Sequence, residues 1–153
     1  MLIWMKNYFD MVRFDILWKN HPGTFKPCNV VEFPNQCAIR MSEAFSKSGV
    51  DLISFSGARC WEKHENKFRH ILRAQELADW IDKHPEIFGN TLKFSRKKYS
   101  KMNSKSFKHK GLIFIKDGWG ATDHIDLWDG ISLRAGSVDY LSLGIEIWFW
   151  PLI

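Results

Sequence analysis

The chain has 153 residues, 45% hydrophobic and 25% charged, with 10 Gly and 5 Pro. This composition fits one packed domain, residues 1–153, and excludes disordered, collagen-like, coiled-coil and two-domain architectures. The net charge of +5 is local. Residues 95–110 (SRKKYSKMNSKSFKHK) hold seven Lys/Arg and no acid, so the other 137 residues carry 15 basic and 17 acidic groups. A fold that is basic throughout is thereby excluded, and the segment itself reads as a solvated, mobile loop.

Three cysteines, Cys28, Cys37 and Cys60, are too few and odd in number for a disulfide framework, which points to folding in a reducing cytoplasm. No run reaches the roughly 20 apolar residues of a membrane span, and Met1 to Met11 lacks the pattern of a signal peptide. If the protein leaves the cell, it does so without a standard signal peptide.

In chain order, residues 14–18 (FDILW) form a short amphipathic turn that ends near His21-Pro22-Gly23. Pro34 holds the chain extended, Asn35 is a good N-cap and Gly49 a good C′ residue, so a helix is expected from Gln36 to about Ser48. A second helix over 74–83 places Leu77, Ala78 and Ile81 on one side and stops before Pro85. After the basic segment come strand-like runs at 111–116, 123–128, 131–135 and 145–150. Helices first and strands after define α+β, with N-terminal helices packed on an antiparallel sheet from the C-terminal half.

Asp129-Gly130 predicts a two-residue hairpin. Its register would pair Trp128 with Ile131 and His124 with Ala135, with His124 and Asp126 on one face.

The expected helix sets Cys37 in its first turn, where unpaired N–H groups and the helix dipole favour a thiolate and can bring a thiol toward a pKa of ~4–7. Packing of a small apolar residue is the plain alternative. His124 is the one histidine within a well-defined strand, and His21, His64, His70, His84 and His109 fall on helices, turns or the basic segment. A cysteine at a helix start followed much later by a strand histidine is the chain order of papain-like hydrolases.

At three segments the sequence resembles the type VI secretion amidase effectors of family 4. They are residues 33–42 (FPNQCAIRMS), 123–130 (DHIDLWDG) and 147–150 (IWFW), with weaker similarity at 14–18 and 111–114. The resemblance implies an NlpC-type, papain-like domain in which Cys37 is the nucleophile and His124 the general base and acid. It implies a peptidoglycan amidase, a D,L-endopeptidase cleaving the γ-D-glutamyl–meso-diaminopimelate bond of stem peptides. No cofactor and no metal are implied. The partners implied are stem peptides, a cognate immunity protein and secretion apparatus components, with no nucleic acid and no membrane span. The protein would be made in the cytoplasm and act in the periplasm of target bacteria.

Family members carry an Asp about eleven residues past the histidine, where this chain has Ala135. Two orienting carboxylates remain open. Asp139 could reach back past a bulge at Gly136, whereas Asp126 is less natural because i and i+2 side chains on a strand run parallel, roughly 6.5 Å apart. Gln36 is a candidate second oxyanion donor, and Trp119 and Trp128 are candidate cleft walls.

Two other functions fit parts of the sequence. Cys60-x3-His64 with Cys28 and Cys37 would make a four-ligand zinc set in a small binding domain. The basic segment, with Tyr99 and Phe107 as stacking rings, would make a nucleic-acid-binding module.

Overall fold

The structure, a computed structural model, describes residues 11–61 and 69–153. Most of the amino-terminal segment considered above for an export signal, and His64, lie outside the described residues. No described helix is long and apolar enough to cross a membrane.

Among the described residues, four helices precede the sheet: α1 (Phe14–Asn20), α2 (Cys37–Lys47), α3 (Ala74–Asp82) and α4 (Pro85–Phe88). The bounds of α2 follow from its ends. Gln36 occupies the N-cap position, Ser48 caps the C-terminus, and Gly49 takes the left-handed φ of 83° that lets the chain leave the helix. Ala38, Met41 and Phe45 recur at helical spacing on α2, as do Ala74, Leu77, Ala78 and Ile81 on α3, and all are buried.

The strands are β1 (Leu92–Ser95), β2 (Gly111–Trp119), β3 (Thr122–Trp128) and β4 (Glu146–Pro151). They form one antiparallel sheet in the order β1-β4-β2-β3, with β3 at an edge. The inner strands β2 and β4 are almost continuously apolar because both of their faces are covered. Leu112, Phe114, Trp148 and Trp150 meet the helices. Ile113, Ile115, Ile147 and Phe149 meet a second layer that includes Met102, Phe107, Leu133 and Leu141.

That second layer includes the basic segment. Between its exposed lysines, Met102 and Phe107 are buried, and the Arg96 guanidinium donates to the carbonyls of Gly144, Met102 and Leu141 at 2.6, 2.7 and 3.0 Å. Phe107 packs edge-on against Phe94 and is only 6% exposed, so it is a core ring and has no free face for a base to stack on.

The hairpin expected at Asp129-Gly130 is corrected. Asp129 Oδ1 accepts from the N–H groups of Ile131 and Ser132 at 2.8 and 2.6 Å, and its own N–H donates to Ser132 O. The side chain thus consumes the N–H groups that a two-residue turn would have left to the ladder, and the turn widens to four residues. Leu133, not Ile131, bridges Trp128, and residues 131–135 form no strand. The partner of β3 is β2, through the two-residue turn at Gly120-Ala121, and His124 stands opposite Ile115. β1 was not anticipated from the sequence: its four residues are short and mostly exposed.

Candidate active site

Cys37 is the first residue of α2, buried at the helix start. The Asn35 side chain reaches its backbone N–H with a long 3.4 Å bond, and its sulfur lies 3.9 Å from the carbonyl oxygen of Asp123. Those contacts bring the helix start to the free edge of β3, one residue from His124. The His124 ring is hydrogen-bonded through Nε2 to Asp126 Oδ2 at 2.9 Å, and the nearby Cys37 favours its charged form. Since Nε2 is committed to the carboxylate, Nδ1 is the ring nitrogen left to face the active-site cleft.

Burial works against charging His124. The hydrogen bond to Asp126 and the closeness of Cys37, with the charges of both, outweigh that cost and hold the imidazole up at about 9. The ring is therefore poised as an imidazolium between two acidic partners.

Asp126 is fully buried and well supplied with donors. Leu127 N–H donates to Oδ1 at 2.8 Å, and Ala135 N–H to Oδ2 at 3.1 Å. Ala135, which stands where a family carboxylate was expected, thus meets Asp126 through its backbone. Asp139 is exposed in the 3-10 turn Val138–Ser142, where its N–H donates to Ser137 Oγ at 3.4 Å. Of the two candidate carboxylates, the one brought to His124 is Asp126, and the argument from parallel i and i+2 side chains is corrected. The imidazole spans most of the gap along the strand, so its far nitrogen meets the carboxylate although the two Cβ atoms stay apart.

Gly136 introduces no approach by Asp139; it lies against the ring itself. A Cβ at this position would stand 3.0 Å from His124 Nε2 and 2.7 Å from the Tyr140 ring. Tyr140 packs edge-on against His124 with centroids 5.0 Å apart, and Trp119 packs on Tyr140 at 4.6 Å. Trp119 is 38% exposed and forms an open aromatic wall beside the histidine, whereas Trp128 is a core residue whose Nε1–H donates to Phe107 O. Gln36 is no oxyanion donor here: its Nε2 donates to the carbonyls of Phe33 and Cys28 at 2.6 and 3.1 Å.

One neighbour of the site escaped the sequence reading. His21, buried at the end of α1, accepts the Gly23 N–H at Nδ1 and turns Nε2 toward Asp126 Oδ1, 3.9 Å away. Burial pushes its pKa down to about 4, with Arg134, Arg40 and His124 adding to the effect against the pull of Asp126. Arg134 holds it there by donating to the carbonyls of Trp18 and His21. The short turn His21-Pro22-Gly23 is the only local signal that this imidazole is held in one orientation.

These elements define a single-domain α+β protein in which a cysteine at a helix start, a histidine and an aspartate converge at the edge of an antiparallel sheet. Residues 33–150 match the family described as type VI secretion system amidase effector protein 4, and the chain belongs to that family. It is an amidase effector, hence a hydrolase. The fold is similar to the type VI effector Tae4 from Enterobacter cloacae, at TM-score 0.68 and 20% identity over 92% of this chain and 96% of that one. It is also similar to the Tae4–Tai4 effector–immunity complexes from Enterobacter cloacae (TM-score 0.67, 23% identity, 92% and 98% covered) and Salmonella Typhimurium (TM-score 0.66, 18% identity, 92% and 98% covered). Among curated protein sequences, no significant match was found.

Proposed function

We propose that this protein hydrolyses the γ-D-glutamyl–meso-diaminopimelate bond of peptidoglycan stem peptides, with Cys37 as nucleophile. The observation that carries the reading is that the Cys37 sulfur, at the start of α2, lies 3.9 Å from the carbonyl oxygen of Asp123, beside His124, whose Nε2 is bonded to Asp126 Oδ2 at 2.9 Å: a nucleophile, a base and an orienting carboxylate meet at one sheet edge.

In this mechanism the Cys37 thiolate attacks the γ-carbonyl carbon, and the carbonyl oxygen takes the negative charge. The N–H of Cys37, held only by the long bond to Asn35, turns to that oxyanion. His124 gives its proton to the diaminopimelate nitrogen as the C–N bond breaks, leaving a thioester on Cys37. The neutral ring then takes a proton from water, the hydroxide adds to the thioester, and the D-glutamyl γ-carboxylate leaves as the thiolate returns. Asp126 keeps Nε2 protonated and stabilises the imidazolium. Trp119 and Tyr140 line the approach to the ring.

Family membership supports the setting of this chemistry: delivery by a type VI apparatus into the periplasm of a target cell. Related effectors are seen in complex with the immunity protein Tai4, which supports a cognate immunity protein as the partner of this chain. Incubating the protein with purified peptidoglycan and weighing the released fragments tests the bond: the account expects a new free amine on diaminopimelate and a free γ-carboxyl on glutamate. Fragments cut at any other bond would contradict it.

A further inference from the structure

Away from the candidate active site, Cys28, Cys60 and His70 meet in the third core cluster, with Phe33 and Ile39 around them. Cys28 Sγ and Cys60 Sγ lie 3.4 and 3.9 Å from His70 Nδ1, and all three ligand atoms fall within 4.8 Å of one another. We infer that Cys28, Cys60 and His70 bind a structural Zn²⁺ ion.

The spacing is that of zinc ligands. With Zn–S near 2.3 Å and Zn–N near 2.0–2.1 Å, tetrahedral geometry separates a sulfur from a nitrogen ligand by about 3.6 Å, between the two distances seen. The three side chains supply all but one of the four ligands that zinc takes, and two thiolates with an imidazole form the soft donor set it favours. The other face of the ring is turned to a carboxylate: His70 Nε2 lies 3.8 Å from Glu43 Oε1. A metal-bound histidine commonly has a carboxylate on its other side, and Glu43 is the carboxylate nearest to that nitrogen. Binding releases the two thiol protons, and no oxidant or reductant is needed.

The arrangement differs from the set suggested by spacing alone, which joined Cys37 and His64 to the other two cysteines. Cys37 belongs to the His124 site. A second nucleophile–base pair is also a poor description, since two sulfurs share one ring nitrogen.

Placement gives the ion a task. Cys60 and His70 face each other across a small antiparallel bridge, with Cys60 N–H donating to His70 O at 2.9 Å and His70 N–H reaching Cys60 Sγ at 3.2 Å. Cys28 stands on the loop before α2, and its carbonyl accepts from Gln36, the residue preceding Cys37. A zinc ion here staples that loop to the bridge and steadies the start of the nucleophile helix.

The test begins with the protein purified from zinc-supplemented cells, in the Cys37→Ala background so that only two thiols remain. Elemental analysis should find one zinc per chain. Replacement by Co²⁺ should give thiolate-to-cobalt charge-transfer absorption and the intense visible bands of a tetrahedral site. A strong chelator should make both remaining thiols alkylate faster and lower Tm by roughly 5–10 °C. Cys28→Ser combined with Cys60→Ser should abolish the cobalt spectrum. Folded protein without zinc and without cobalt bands would overturn the inference, as would bands that persist in the double variant. A Cys28–Cys60 disulfide in metal-free protein would overturn it too.

Discussion

His124 and Asp126, two positions apart on β3, are joined by a 2.9 Å hydrogen bond although their side chains leave the strand in parallel. The bond closes because the carboxylate is fixed by two backbone N–H groups, one from its own strand and one from Ala135 across the four-residue turn. Asp126→Asn should therefore lower kcat by at least about tenfold, since a carboxylate that sets the tautomer of a base is worth up to ~10⁴ in rate. Asp139→Asn should leave kcat within error, because Asp139 is exposed and meets Ser137 through its backbone N–H. Fragment-release kinetics on both variants decide the matter, and a tenfold loss in Asp139→Asn alone would reverse the assignment.

Much of this site is legible in the sequence, for local reasons. Pro34 and Gly49 bracket α2 and set Cys37 at its first turn, with Gln36 and not Asn35 at the N-cap position, and the alternation through 123–128 puts His124 and Asp126 on one face. What escapes depends on distant partners. The orientation of His21 rests on Arg134, whose bonds to Trp18 and His21 close over more than a hundred residues. The register beyond Trp128 rests on one Asp129 carboxylate capturing two N–H groups, a competition that the dipeptide Asp-Gly does not reveal. The anchors Met102 and Phe107 are hidden in a segment whose composition is dominated by lysine and serine.

Gly136 is required for space. Gly136→Ala places a methyl group 3.0 Å from His124 Nε2 and 2.7 Å from Tyr140, so one of the two rings must move. Turnover should fall at least about tenfold, as expected when a reacting group is displaced by a fraction of an ångström to an ångström, with Tm lowered by only a few degrees. Full activity in Gly136→Ala would show that the ring position is not critical.

Trp119 should act on substrate binding. Trp119→Ala is expected to raise KM roughly 2- to 10-fold with kcat little changed, the equivalent of an aromatic contact of ~0.5–1.5 kcal/mol. A fall in kcat at constant KM would instead make Trp119 a support for the histidine.

The two histidines bend the stability profile in opposite directions. His21, held down near 4 from an ordinary 6.5, contributes stability that is present above pH 6.5 and is lost as the pH falls toward 4. His124, held up near 9, contributes stability that is present below pH 6.5 and is lost as the pH rises through 9. Tm should fall on both sides of neutrality, and His21→Gln should flatten the acid limb while leaving the alkaline limb in place. An acid limb unchanged in His21→Gln would contradict the assignment.

The central claim is that Cys37 performs the hydrolysis. Its most direct measurement is fragment release from peptidoglycan by Cys37→Ala, with circular dichroism confirming the native fold. Release should fall to background, because Cys37 is the nucleophile that the described residues bring to His124. Release at the wild-type rate by the folded variant would contradict it.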